Sequence, residues 1–296
     1  MPINIKDLPK EKFVLPGDAA CLGCPENMGL RFVGMALGNK AILVVPAGCT
    51  SIIQGLAPGS GLKFPILNVP FASSDSVAAG LSSAKKILGE DATVVVWAGD
   101  GGTADIGFAT LSGAAERNDD VIHICVDNEA YMNTGIQRSS QTPLGAWTTT
   151  TWLGKRERKK DLPLIMLMHK IPYVATASVA YPLDFIEKLR KASTIRGFKY
   201  IHLHAPCPVG WRFDPAYTVA VAKLAVETGM WILFEAEGGR VSISPPSKPY
   251  ADKNRRKPIK EYIAMQGRFR NITEELLLEL EKQVDDNWST LLKLAT

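Results

Sequence analysis

The chain has 296 residues, 46% of them hydrophobic and 22% charged, with a net charge of +4. That length supports a large core, and interspersed acids and bases give no clustered basic face for nucleic acid. No apolar run is long enough to cross a membrane, and Met1-Pro2-Ile3-Asn4-Ile5-Lys6-Asp7 has no signal-peptide core. The expectation is a cytoplasmic protein with no membrane or nucleic-acid partner, whose cysteines are thiols or metal ligands rather than disulfides.

Residues 1–20 read as an irregular arm broken by Pro2, Pro9 and Pro16. In Cys21-Leu22-Gly23-Cys24, which follows, Gly23 permits a sharp turn that aims two thiolates at one metal. Pro25-Glu26-Asn27 opens a helix to about Leu37, with Leu30, Val33 and Leu37 as a partial apolar stripe. Residues 41–45 are a buried strand ending at Pro46-Ala47-Gly48-Cys49, so Cys49 sits at a strand's C-terminal end. Residues 55–64 form a Gly-rich loop, 66–70 a short strand, and 76–88 a small-residue helix suited to packing against a sheet or another subunit.

The centre of the chain spans residues 99–137. The run 93–98 is short, β-branched and unalternating, the mark of a strand buried on both faces. Gly99-Asp100-Gly101-Gly102 then makes a tight turn, 105–117 reads as a helix, and a second buried strand over 121–126 leads to Asp127-Asn128. In such strand–helix–strand units, ligands bind at the C-terminal strand ends. There Asp100 offers a carboxylate oxygen, Asn128 an amide oxygen, and the loop after Asn128 a backbone carbonyl. Few protein oxygens with open positions for water and phosphate match the usual way of holding Mg²⁺. Gly101 and Gly102 let a phosphate approach the backbone at a helix N-terminus. Either piece alone is also an ordinary turn or helix cap; together, on adjacent strands, they point to a metal and a diphosphate.

Residues 138–160 form a long polar loop with consecutive threonines from Thr148 to Thr151. Such a loop is usually functional or ordered by a partner. Its basic run, Lys155-Arg156-Glu157-Arg158-Lys159-Lys160, reads as a solvated loop or as a docking surface for an acidic electron carrier. Helices over 162–169 and 182–196 alternate with strands over 173–178 and 200–204, the latter ending at Ala205-Pro206-Cys207-Pro208. The alternation implies an α/β fold with one doubly wound, mostly parallel sheet. From about Thr218 the chain reads as helical, then extended and Pro-rich over 244–258, then as an amphipathic helix near 274–294. The expected division is an arm over 1–20, an α/β domain over 21–240, and a helical C-terminal extension over 241–296 packing on a partner subunit.

Cys125 lies inside a buried strand and reads as a packed core thiol. Cys21, Cys24, Cys49 and Cys207 fall in turns or at strand ends and make a possible four-cysteine set. Spacing alone leaves zinc and an iron–sulfur cluster open.

Gly99-Asp100-Gly101, the following helix and the strand ending at Asn128 resemble the thiamine diphosphate signature. The run Asp127-Asn128-Glu129-Ala130-Tyr131-Met132-Asn133-Thr134-Gly135-Ile136-Gln137-Arg138-Ser139 resembles the β subunit of the pyruvate:ferredoxin oxidoreductase and 2-oxoacid:acceptor oxidoreductase family. So do the CxxC, the third cysteine and Ala205-Pro206-Cys207-Pro208-Val209-Gly210-Trp211, over roughly residues 15–270. The resemblance implies a fold of the thiamine diphosphate-binding type. It implies Mg²⁺ held by Asp100, the Asn128 side chain and the Ala130 carbonyl, with Gly101, Gly102, Thr134, Gly135 and Cys49 around the cofactor and Asn133 at its reactive end. It implies a [4Fe–4S] cluster on Cys21, Cys24, Cys49 and Cys207, which zinc could not replace because electrons must leave. It further implies oxidative decarboxylation of a pyruvate-type 2-oxoacid with coenzyme A, and ferredoxin or a similar acceptor. The activating carboxylate would come from an α-, γ- or δ-type partner subunit.

Two departures bear on this. Cys24 is followed by Pro25-Glu26 where the family usually has Gly, and Cys49 by Thr50-Ser51-Ile52-Ile53-Gln54-Gly55-Leu56 where an acidic, aromatic stretch is usual. An aromatic or branched 2-oxoacid such as phenylglyoxylate is therefore an alternative substrate. A non-redox thiamine diphosphate decarboxylase or synthase with structural cysteines is a second alternative.

Overall fold

The buried apolar runs become the strands of one eight-stranded sheet in the computed structural model, which describes residues 4, 6, 8–56 and 58–295. In chain order the elements are α1 (Pro25–Leu37), β1 (Ala41–Pro46), α2 (Cys49–Ile53), β2 (Ile66–Val69), α3 (Ser74–Leu88), β3 (Thr93–Gly99), α4 (Phe108–Glu116) and β4 (Ile122–Asp127). They continue with α5 (Leu162–Met168), β5 (Tyr173–Ser178), α6 (Pro182–Thr194), β6 (Lys199–His204), α7 (Pro208–Trp211), α8 (Thr218–Glu227), β7 (Phe234–Glu237), β8 (Arg240–Ile243), α9 (Ile259–Ala264) and α10 (Glu274–Leu294).

The strand order is β2-β1-β3-β4-β6-β5-β7-β8. β1 to β6 run parallel, and β7 and β8 close one edge antiparallel. Leu30 and Val33 of α1 and Phe185 and Leu189 of α6 pack with Val95, Trp97 and Ile124 on one face. Leu111 of α4 and Leu162 and Met166 of α5 pack with Val94, Val96 and Tyr200 on the other, while Ala78 of α3 joins them. Burial on both faces is why β3 and β4 lack alternation. The register Ala98↔Cys125 and Gly99↔Val126 sets the C-terminal ends of β3 and β4 side by side.

The structure departs from expectation at several elements. The helix expected from residue 105 is preceded by a π turn over Gly102–Ile106 and is regular only from Phe108. The hairpin of β7 and β8 was not expected. It turns at Gly238 and Gly239, both at positive φ (56° and 83°), a two-residue connection suited to glycine. The boundary expected at 240/241 therefore falls at the start of β8, inside the sheet. The extended stretch over 244–258 instead contains short turns at Lys248–Ala251 and Lys253–Arg255.

The tail packs on its own chain. Leu277, Leu280, Val284 and Trp288 of α10 join Trp211, Val221, Tyr262 and Phe269 in a third core, and Trp288 Nε1 donates to Gly229 O at 3.2 Å. Of the arm, residues 1–3, 5 and 7 lie outside the described residues; Phe13 and Val14 are buried, and Val14 bridges to Leu62.

The loop over 138–160 is ordered from within. Lys155 is fully buried and donates to Thr142 O (2.7 Å), Ser140 O (3.2 Å) and Arg158 O (3.3 Å). Arg158 pairs with Glu279 and Asp286 of α10, and Lys159 with Asp127 and Glu129. The basic run thus spends most of its charge on this chain's own groups and leaves Arg156 and the half-exposed Arg158 facing outward.

Candidate active site

Asp100 follows β3 and is fully buried. Its Oδ2 accepts from Ser139 Oγ at 2.5 Å, and its Oδ1 has no protein partner. Asn128 follows β4. Its Nδ2 donates to Glu26 Oε1 at 3.1 Å, which leaves Oδ1 equally without a partner. An unsatisfied buried acceptor costs about 1–3 kcal/mol. Here two line one cleft, with Gly99, Gly101, Gly102, Ala130 and Cys49. Burial, then the charge of Asp127, pushes the Asp100 carboxyl well above the usual carboxylate range. A cation beside it would restore the carboxylate and satisfy both oxygens. Hard oxygens in this number suit a divalent ion that keeps water and phosphate ligands.

The glycines of the turn sit close against two aromatic rings. A Cβ on Gly101 would lie 2.5 Å from the Tyr131 ring, and one on Gly102 would lie 3.0 Å from Phe71. Beyond Asn128 the backbone enters the left-handed region at Glu129 (φ 64°), costing about 1–2 kcal/mol for a side-chain-bearing residue. Buried charges hold it there. Glu129 Oε1 meets Lys159 Nζ at 2.9 Å and Oε2 meets Arg268 Nη2 at 2.6 Å. Its N–H donates to Asp127 Oδ1 (3.0 Å), and its carbonyl accepts from Thr142 Oγ1 (2.6 Å). Burial works against ionisation of Asp127 and Glu129. Lys159 with His202 outweighs it at Asp127, and Lys159 with Arg268 at Glu129, so both carboxyls sit below their ordinary range. Trp211 Nε1 donates to Asn128 O at 2.8 Å, fixing the turn from α7.

Ala130 is buried in the cleft wall. Asn133 and Thr134 line the same cleft from an exposed turn that Tyr131 and Gln137 close by pairing. Gly135 belongs to that turn (φ 116°) but is not among the lining residues.

Of the cysteines, Cys49 borders the cleft and is near enough to Cys207 and Cys24 to feel their charge. Cys49 opens α2, Cys24 caps α1, and Cys207 caps α7 and accepts from Gly210 N at 3.5 Å. Gly23 ties the CxxC turn to the segment after Cys207. Its carbonyl accepts from Thr218 Oγ1 at 2.8 Å, and a Cβ there would lie 2.5 Å from Pro215 O. Cys21 is exposed. Burial, with Glu26 second, pushes the Cys24 thiol up to about 12; burial and then Glu26 raise Cys49 as well, and burial brings Cys207 up to about 11. Thiolates here need compensating positive charge. Among the described residues no group of three or more His, Cys, Asp or Glu is arranged to hold a metal ion, and all five cysteines are free. Cys125 is buried in β4 with its sulfur 3.9 Å from His202 Nε2, as a core thiol would be.

Several contributors escaped the sequence reading. Glu26 is fully buried between the two groups of residues, accepting from Asn128 Nδ2, from Thr50 Oγ1 (2.8 Å) and from the Cys49 thiol. Its signal was an acid on the first turn of α1, directly after the CxxC. Ser139, Trp211 and Arg268 had no such signal, since each reaches the site from a distant element.

The thiamine pyrophosphate enzyme C-terminal TPP binding domain matches residues 47–203, a span containing β2 to β5, all but the last residue of β6, and most of the residues that line the cleft. Pyruvate synthase subunit PorB of Methanothermobacter thermautotrophicus is 48% identical over 286 residues, covering 94% of this chain and 96% of that one. Ketoisovalerate oxidoreductase subunit VorB of Pyrococcus abyssi is 48% identical over 299 residues, covering 97% and 95%. A 2-oxoglutarate:ferredoxin oxidoreductase structure from Magnetococcus marinus shares the fold, with TM-score 0.58, 23% identity and coverage of 74% and 79%. The chain carries a thiamine pyrophosphate-binding domain and belongs to the family of the PorB and VorB subunits of the 2-oxoacid oxidoreductases.

Proposed function

We propose that this chain is the thiamine diphosphate-binding catalytic subunit of a complex that oxidises a 2-oxoacid with coenzyme A. The reaction gives acyl-CoA, CO₂, one proton and two electrons, which leave singly through a [4Fe–4S] cluster to ferredoxin or a similar acceptor. The pair of orphaned buried oxygens, Asp100 Oδ1 and Asn128 Oδ1, in one cleft with Cys49 carries this reading.

In it, Asp100, Asn128 and the Ala130 carbonyl hold Mg²⁺, and Gly101 and Gly102 leave room for the diphosphate. Bound thiamine diphosphate supplies the carbanion and electron-sink chemistry. The protein supplies placement. Ser139 and Glu26 turn the second atoms of Asp100 and Asn128 away and leave the ligand oxygens free. Asn133 and Thr134 sit at the rim, where the Asn133 amide can donate to an oxygen of the reacting 2-oxoacid. Cys21, Cys24, Cys49 and Cys207 hold the cluster, whose iron provides the positive charge their buried thiolates need. The acidic residues lining the cleft are Asp100 and Glu26. Both Glu26 oxygens already accept hydrogen bonds, which supports a carboxylate from a partner subunit as the group that activates the cofactor.

A branched aliphatic 2-oxoacid is the second reading of the substrate. The VorB relative is as similar as the PorB relative, and the segment after Cys49 is apolar. The complex purified without oxygen, assayed for coenzyme A-dependent acceptor reduction with pyruvate, 2-ketoisovalerate and phenylglyoxylate, tests both. Reduction with an aliphatic 2-oxoacid, alongside bound thiamine diphosphate and iron, is expected. Thiamine diphosphate without iron or acceptor reduction would favour a non-redox decarboxylase.

A further inference from the structure

The metal-binding turn is gripped by a residue far outside the cofactor-binding part of the chain. Arg268 lies in the C-terminal segment and is 3% exposed. Its guanidinium lies 5.0 Å over the Phe269 ring and makes three closer contacts. Nη2 meets Glu129 Oε2 at 2.6 Å, Nε donates to Gln266 Oε1 at 2.9 Å, and the planar group lies 3.5 Å over the Trp211 ring. Trp211 in turn donates to Asn128 O. One cation therefore fixes the turn at two consecutive residues, directly at Glu129 and through the indole at Asn128. Its backbone is held too: Arg268 O accepts from Trp147 N at 2.9 Å, and Gly267 N donates to Arg212 O at 3.1 Å.

Glu129 is the residue in the left-handed conformation, so the turn does not keep its shape by local preference. Something outside it must supply the constraint, and Lys159 and Arg268 are the two cations that do. Lys159 shares itself between Asp127 and Glu129. Arg268 alone links Glu129 to Trp211, and a stacked planar fork does what a lysine cannot.

We propose that Arg268 is a positioning residue for the metal site, and that through it the C-terminal segment sets how tightly the cofactor's metal is held. This rests on the reading of Asp100, Asn128 and Ala130 as metal ligands. Removing a group that hydrogen-bonds a metal ligand usually costs about 10–100-fold in affinity, and Arg268 acts one contact further out, through Glu129 and Trp211, which places its effect at the lower end of that range.

The test strips the purified complex of metal and thiamine diphosphate, then titrates MgCl₂ at fixed thiamine diphosphate. It follows retained cofactor by dialysis and, in parallel, the thermal midpoint without metal. Arg268→Met is expected to raise the half-saturating Mg²⁺ concentration about 10-fold. Glu129→Gln is expected to do much the same, and the double variant no more than the larger single, because both act through one contact. Arg268→Lys keeps the charge without the plane and is expected to fall between. Trp288→Phe loosens the same C-terminal core without touching the turn. It is expected to lower the midpoint and leave the Mg²⁺ curve in place. A wild-type curve for Arg268→Met or Arg268→Lys, or a shift for Trp288→Phe as large as theirs, overturns the proposal. Asp100→Asn separates the underlying reading: cofactor retained at wild-type Mg²⁺ would overturn the ligand assignment itself.

Discussion

Ser139 donates its hydroxyl to Asp100 Oδ2 at 2.5 Å, while Asp100 Oδ1 stays buried and without a partner. The contact spans 39 positions, so a loop that reads as a polar connection decides which carboxylate oxygen is free. Ser139→Ala lets the carboxylate rotate and leaves both oxygens unpaired. The half-saturating Mg²⁺ concentration for cofactor retention is expected to rise about 10-fold, as for loss of an outer-shell partner. A titration of the metal-stripped complex checks this.

The cysteines divide into two classes by position. Alanine at Cys21, Cys24, Cys49 or Cys207 is expected to lower iron content and stop acceptor reduction. Cys125→Ala is expected to cost only packing, about 1 kcal/mol. Iron analysis and denaturant titration of each variant measure the two effects. Iron lost from Cys125→Ala but kept by Cys49→Ala would show the ligand set to be wrong.

His204 gives a pH dependence of known sign. It lies between Trp211 and Trp231 with Nδ1 unpartnered, and burial brings its pKa down to about 3. The unfolded chain titrates near 6.5, so between about pH 6.5 and 3 the unfolded state binds the extra proton. The stability tied to neutral His204 is present above pH 6.5 and lost as pH falls through that window. The loss from pH 7 to 5 is about 2 kcal/mol for this group. Asp100 and Glu26, whose carboxyls burial raises, act in the opposite direction. The measurement is therefore a difference: His204→Phe is expected to lose about 2 kcal/mol less than wild type from pH 7 to 5 in urea titrations.

Asn133 stands at the exposed rim of the cleft, not in its floor. If its amide donates to the reacting 2-oxoacid, Asn133→Ala keeps thiamine diphosphate and a dithionite-reducible cluster. Substrate-driven bleaching then slows by about 10²–10³-fold, the usual worth of one such donor. Rapid mixing with the 2-oxoacid reads the rate, and a wild-type rate would leave Asn133 a turn residue.

The parallel sheet and the strand ends at Asp100, Asn128, Cys49 and Cys207 were legible because they rest on local signals. Buried β-branched runs and glycine turns announce themselves within a few residues. The supports were not legible. Ser139, Trp211 and Arg268 act across 39, 83 and 139 positions, and nothing local marks a serine or an arginine as a clamp. Helix periodicity on α10 showed an apolar face but not what covers it. Leu277, Leu280 and Trp288 face this chain's own third core. The hairpin of β7 and β8 was missed because its strands are short and follow a long helical stretch, leaving Gly238-Gly239 as the one sharp cue.

Asp100→Ala tests the central claim most directly, measured anaerobically in the purified complex for bound thiamine diphosphate and for bleaching of the broad absorbance at roughly 400 nm expected of a Cys-ligated cluster. The variant is expected to keep its fold and its dithionite-reducible absorbance, yet to lose the cofactor and all bleaching by the 2-oxoacid. Normal cofactor content with wild-type substrate bleaching would contradict the account.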